Sequence, residues 1–146
     1  MGVSRKELQQ LAETRLKEAK ILARNNMYDG ARYLAGYVVE LALKAKICFL
    51  LELSEYPDAG NLKTAFRTHS YDDLIKLAGL ETKLKQEQKE NKNFGTNWDI
   101  LTKWTPDYRY KPVGSQTKAE LEKTIKALEN PKSGVFRWIK RNWKKR

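Results

Sequence analysis

NMYDGARYLAGYVVELALKAKICFLLEL, residues 26–53, carries apolar side chains on more than one side of a helix. Met27, Ala31, Leu34, Ala35, Val38, Ala42, Ala45, Cys48 and Phe49 recur at steps of three and four. Val39, Leu41, Ile47, Leu50 and Leu51 add a second stripe. A helix apolar on two faces is a central rod with neighbours on both sides. Asn26 is expected to cap it, with Asp29 favouring its first turn. Gly36, costly in mid-helix by about 1 kcal/mol relative to Ala, predicts close approach of a partner helix.

Working outward, the N-terminal side offers a capping box of Ser4 and Glu7, followed by Leu8, Leu11, Ala12, Arg15, Ala19 and Leu22 at helical spacing. That helix should end near Arg24, with Glu13–Lys17 as a solvated pair on its polar face. On the C-terminal side, residues 54–68 read as a loop with Pro57, Gly60 and Asn61. Ser70 with Asp73 caps a third helix, and Gly79 follows it as a C′ residue. Residues 81–93 are almost all charged or amide, compatible with a solvated helix or a linker. Thr96 or Asn97 is expected to open a short helix with Trp98, Leu101 and Trp104 on one side, stopped by Pro106. Residues 107–114 form a loop, Ser115 opens a further helix, and Asn130-Pro131 separates it from a final amphipathic one. Alternating strand patterns and Asn-Gly or Asp-Gly hairpin turns are missing from the sequence. The expectation is a single all-α domain over residues 1–146. It is an up-and-down bundle of four to five antiparallel helices plus a short one.

The chain has 146 residues, a net charge of +11 and a pI near 9.7. That balance favours a polyanionic partner: nucleic acid, a nucleotide or an acidic protein. Seven of the eleven charges fall in the helix expected over residues 131–146, from Lys132, Arg137, Lys140, Arg141, Lys144, Lys145 and Arg146, with no acid among them. Phe136, Trp138 and Trp143 interleave, and basic side chains with aromatics suit RNA. The plainer reading puts the aromatics in the core and leaves the charges on a solvated face. One cysteine, Cys48, sits in apolar surroundings and reads as a structural thiol in a cytoplasmic protein. The apolar run is interrupted by Glu40, Lys44 and Lys46, which argues against a membrane span. Metal-ligand spacing, phosphate loops and nucleophile motifs are missing, so no cofactor is expected.

Three groups carry possible chemistry. His69 stands beside Arg67, Ser70, Asp72 and Asp73. It is either a general base or a ring bonded to a backbone carbonyl or Asp72 that fixes the start of the third helix. Glu40 and Lys44, at i,i+4 within an apolar helix, read as an ion pair. Alternatively Glu40 orients His69 or Arg109, since a charge there needs a cationic partner. Tyr108, Arg109, Tyr110 and Lys111 combine stacking with bidentate phosphate recognition, or else pin their loop to the bundle with Arg109 on Glu40.

Several of these residues also resemble one family. Tyr28-Asp29-Gly30-Ala31, Tyr33-Leu34-Ala35-Gly36-Tyr37-Val38-Val39-Glu40 and Leu43-Lys44-Ala45 are similar to the second helix of HEPN-domain proteins. Thr68-His69-Ser70-Tyr71-Asp72-Asp73-Leu74 resembles the family's T-H-D-L entry to its third helix, lengthened here by a residue or two, Trp104 with Tyr108-Arg109-Tyr110 its Trp…Arg-Tyr segment, and Phe136-Arg137-Trp138-Ile139 its closing helix. The resemblance implies an all-α bundle that dimerises and acts in defence or toxin–antitoxin systems, often beside a small nucleotidyltransferase. Catalytic relatives are metal-independent RNases that place an Arg four to six residues before a His on a late helix. Here His69 is the only histidine and Arg67 precedes it by two. The resemblance therefore implies a module that binds RNA or a nucleotide. Arg109, Tyr108, Tyr110, Lys111, His69, Glu40 and Lys44 would form the site, and Arg137, Lys140, Arg141 and Lys144 would supply long-range attraction. The alternatives are an RNase using His69 with Arg67 or Arg109, and a subunit that docks on a nucleotidyltransferase.

Overall fold

Ser4 Oγ accepts from the Glu7 amide and the Glu7 carboxylate accepts from the Ser4 amide, closing the capping box that starts α1, Arg5–Arg24. The computed structural model describes residues 2–57 and 65–146. Beyond α1 run α2 (Tyr28–Leu50), α3 (Tyr71–Leu77), α4 (Glu81–Glu90), α5 (Lys92–Thr102), a 3₁₀ segment (Pro106–Tyr110), α6 (Lys118–Glu129) and α7 (Val135–Asn142). Among the described residues there is no strand, only an isolated bridge between Ser4 and Glu55. The loop signals Gly60 and Asn61 lie outside the described residues.

The middle rod is α2. It packs against α1, α3, α6, α7 and the 3₁₀ segment. Ala31, Ala35, Val38, Val39, Ala42, Leu43, Ala45, Ile47 and Cys48 are at most 1% exposed. The expected stripes overreach at their ends, where Met27 and Leu51 are exposed. Asn26 is not the cap. It adopts a left-handed conformation at φ 62, its side chain accepts from the Tyr28 hydroxyl at 2.8 Å, and Met27 takes the N-cap position with no side-chain bond. Asp29 has a larger task than its helix turn. Its carboxylate accepts from the amides of Gly114 (2.6 Å) and Gln116 (2.9 Å), tying the segment before α6 to α2.

The two long rods are α1 and α2; the other helices are shorter. Gly79, at φ 68, turns the chain between α3 and α4, as its C′ role requires. Residues 81–90 are helical, seated on Leu84, whose side chain is buried. Helix α5 opens at Asn91, six positions before Asn97, because Asn91 Oδ1 caps the Phe94 amide. Asn97 instead donates to the Ser133 carbonyl. Trp98, Leu101 and Trp104 are all buried, as their spacing predicts. Thr117 and Glu120 form a capping box for α6, two residues beyond Ser115. Asn130 accepts from the amides of Lys132 and Ser133, and Gly134 caps α7. On α1, Glu13 pairs with Lys140 of α7 rather than with Lys17, and the within-helix pair is Arg15–Glu18.

The C-terminal helix is held by its apolar side. Val135, Phe136, Trp138 and Ile139 are buried, each contributing about 2 kcal/mol by removal from water. Trp143 Nε1 donates to the Ala42 carbonyl at 2.9 Å, and the Lys46 ammonium, 2% exposed, donates to the Lys145 carbonyl. Among the described residues no helix is long and apolar enough to cross a membrane.

Candidate functional site

One face of α2 builds the site. Arg32, Gly36 and Glu40 stand at i, i+4 and i+8, flanked by Tyr33 and Tyr37. Glu40 is buried, with its side chain 3% exposed. Its Oε2 accepts from Lys44 Nζ at 3.1 Å and its Oε1 meets His69 Nδ1 at 2.8 Å. The i,i+4 pair and the histidine-orienting role therefore coexist. Among the described residues His69 is bonded to neither Asp72 nor a backbone carbonyl. Asp73 accepts from Thr68 Oγ1 at 2.9 Å and so serves the start of α3.

Gly36 exists for a side chain, not for a helix backbone. A Cβ there would overlap the indole of Trp104, which lies flat across α2. Trp104 gathers an aromatic cluster: Tyr37 at 4.8 Å edge-on, Tyr71 at 6.1 Å stacked, and Tyr33 at 6.5 Å between ring centroids. Tyr71 donates its hydroxyl to the Gly36 carbonyl at 2.6 Å, and burial pushes that phenol well above its ordinary range. Tyr37 is pushed up to about 12, by burial first and then by its hydrogen bond to Tyr33. Both phenols thus stay neutral at physiological pH and act as hydrogen-bonding and stacking surfaces.

Next to this cluster is a cleft of about 260 Å³, lined by His69, Tyr71, Asp72, Thr102, Trp104 and Pro106 among others. Two segments form its sides: the approach to α3 and the turn after α5. Continuing from Pro106, the 3₁₀ segment carries Tyr108, Arg109 and Tyr110, with Lys111 next. Arg109 does not bond Glu40. Its guanidinium lies over the Tyr110 ring at 4.6 Å, and the Tyr110 and Tyr33 hydroxyls beside it hold it above its ordinary range. Tyr110 is 74% exposed. Lys111 Nζ stands 4.1 Å from the Tyr108 ring centroid. These side chains present two cations and an open ring to solvent with no carboxylate bonded to either cation among the described residues.

The structure thus brings Glu40, Lys44 and His69 into contact and places Tyr108, Arg109, Tyr110 and Lys111 near them through Tyr33 and Tyr37. Arg67 is exposed on the approach to His69. Arg137, Lys140, Arg141 and Lys144 lie elsewhere, and among the described residues only Lys140 of these four has an ion pair. Lys140 pairs with Glu13 at 2.9 Å, and Arg137 donates to the Glu129 carbonyl at 2.6 Å. Arg141 shares a groove with Glu87 and Glu90. Lys144 alone of these four has no such neighbour among the described residues.

Arg32, Gly36, Tyr71 and Trp104 do most to shape the site, and none was singled out as a site residue from the sequence. Arg32 carries the clearest missed signal: an arginine one turn before Gly36 and two before Glu40, in an otherwise apolar helix. It is 4% exposed, donates to the Ile100 carbonyl at 3.2 Å, and lies over the Tyr108 ring at 5.4 Å. Burial pushes its guanidinium below its ordinary range. No group of three metal-ligating side chains occurs among the described residues.

Comparison with known proteins gives one match. The model of the HEPN family, described as the HEPN domain, matches residues 6–138, nearly the whole chain. No curated protein and no solved structure matches.

Proposed function

This chain belongs to the HEPN domain family, and on that premise we propose that it binds single-stranded RNA or a nucleotide in a defence or toxin–antitoxin setting. The observation that carries the reading is the exposed run Arg109-Tyr110-Lys111 beside the aromatic cleft. Arginine offers bidentate contacts to phosphate and the open Tyr110 ring offers a face for a base. The +11 charge adds attraction at a distance. Pairing with a second copy belongs to the same proposal, and a subunit that docks on a nucleotidyltransferase is the alternative to it; only the family resemblance supports either.

The test is a fluorescently labelled single-stranded RNA titrated at several salt concentrations. Affinity is expected to fall steeply with salt. The double variant Arg109→Ala, Lys111→Ala should flatten that slope by about 1.4, or roughly 0.7 per lost phosphate contact. An unchanged slope and affinity would exclude the run as the binding surface.

A second reading rests on the Glu40–His69 contact. With Nδ1–H donating to the buried carboxylate, Nε2 is left to accept a proton at the cleft mouth, the arrangement of an oriented general base. Arg67 or Arg109 would then supply charge to an RNA phosphate. Metal-free cleavage of RNA that disappears in His69→Ala supports this reading. Intact RNA after long incubation with purified protein removes it.

A further inference from the structure

Two buried hydrogen-bond donors beside the cleft have no acceptor. Arg32 Nη1 and Trp104 Nε1 are both buried and unpartnered among the described residues, on side chains only 4% and 3% exposed. They belong to one patch. Trp104 lies across Gly36, one helical turn from Arg32. Tyr71 stacks on Trp104 and donates its hydroxyl to the carbonyl of the same Gly36. The Tyr108 ring covers the guanidinium, and the Lys111 ammonium approaches the same ring.

A buried cation without an anion is costly, and a buried donor without an acceptor adds to the cost. Water would satisfy a donor but leave the charge uncompensated. An oxyanion answers both needs at once. Its oxygens only accept, its charge opposes the guanidinium, and its geometry fits a planar fork. We propose that Arg32 and Trp104 form the floor of a subsite for a single phosphate-class oxyanion, roofed by the Pro106–Tyr110 segment with Lys111 as the second cation. Tyr108 must swing aside for the anion to enter. The inference rests on the nucleotide reading for the anion's origin, since the same chemistry is offered by free phosphate and by a nucleotide's phosphate.

The experiment uses the full chain and three probes at constant ionic strength: inorganic phosphate, adenosine 5′-monophosphate, and adenosine. Binding is followed by tryptophan fluorescence and by phosphorus NMR line broadening. Saturable binding of phosphate or the monophosphate, with adenosine at least about tenfold weaker, is expected for loss of the charged contacts. Arg32→Lys and Trp104→Phe, which keep charge or ring but remove the fork or the N–H donor, should each weaken phosphate binding about tenfold. Should Arg32→Lys not fold, Trp104→Phe together with Tyr108→Ala, which removes the roof and should speed association, carries the test. Phosphate that shows no saturable binding, or binds both variants as it binds the parent, overturns the subsite. Nucleotide binding lost in Arg109→Ala, Lys111→Ala but intact in Arg32→Lys and Trp104→Phe overturns it while leaving the nucleotide reading standing. Nucleotide binding intact in Arg109→Ala alone, which leaves Lys111 in place, but lost in Arg32→Lys and Trp104→Phe upholds the subsite and overturns Arg109 as the binding residue.

Discussion

The turn after α5 and the helix at the C-terminus share a composition of aromatics and cations, yet the fold uses them differently. In the C-terminal helix the aromatics are core: Phe136 and Trp138 are buried, and Trp143 is bonded to α2. Two of its cations are paired, Lys140 with Glu13 and Arg146 with Glu52, and Arg137 donates to the last carbonyl of α6. After α5 the division runs the other way. Trp104 is buried, but Tyr110 and Arg109 face water beside a cleft, with no acid bonded to them among the described residues. Both stretches keep cations without an ion pair among the described residues; what sets the turn apart is that Arg109 and Lys111 stand with an open aromatic ring beside a cleft. The carboxylates that pair with the tail come from α1 and the α2–α3 connection, and neither is near the tail in sequence.

The sharpest way to strain this contrast is at Gly36. Gly36→Ala forces the Trp104 indole off α2 and should destabilise the fold by about 3 kcal/mol in urea unfolding. Gly30→Ala, earlier in the same helix with only Leu22 at ordinary contact distance, should be neutral or slightly stabilising. Equal effects at the two glycines would mean that the turn after α5 is not anchored as described. A smaller effect is expected in the tail. Lys140→Ala breaks an exposed ion pair worth about 0.5 kcal/mol and should change RNA affinity less than the Arg109, Lys111 pair does. Comparable losses from both would erase the distinction between the paired cation of the tail and the cations beside the cleft.

The smallest effect is a pH dependence at Asp29. The amides of Gly114 and then Gln116 hold its carboxyl below the ordinary value of 3.8. A depressed folded-state pKa adds stability that is complete above about pH 4 and is lost as pH falls through the folded value. The difference in melting temperature between the parent and Asp29→Asn should therefore be steady at neutral pH and close below pH 3.8. A gap that persists in acid would show that the carboxylate's charge does not hold the segment before α6.

The long helices were legible because their signals are local. Ser4 and Glu7 are three residues apart, and the apolar steps of residues 27–49 need only helical geometry to be read. The starts of α2, α5 and α6 were misplaced because several capping side chains compete within a few residues, and tertiary bonds choose among them. Asn97, for one, is taken by Ser133. Of the site, the Glu40–Lys44 pair was legible as an i,i+4 contact. The Glu40–His69 contact was foreseen only because a buried charge must find an opposite partner. Arg32, an arginine in an apolar helix, carried a local signal that was passed over, whereas its meeting with Trp104 was not legible, because the two come together only when the turn after α5 folds back onto α2.

The sequence by itself determined an all-α chain built on a doubly apolar middle helix, since backbone hydrogen bonding and hydrophobic periodicity act over a few residues. It also determined the family, through motifs in order along nearly the whole chain. Only the tertiary structure decided which cations remain without a counter-charge, because ion pairing depends on separations of a few ångströms between residues up to 127 positions apart.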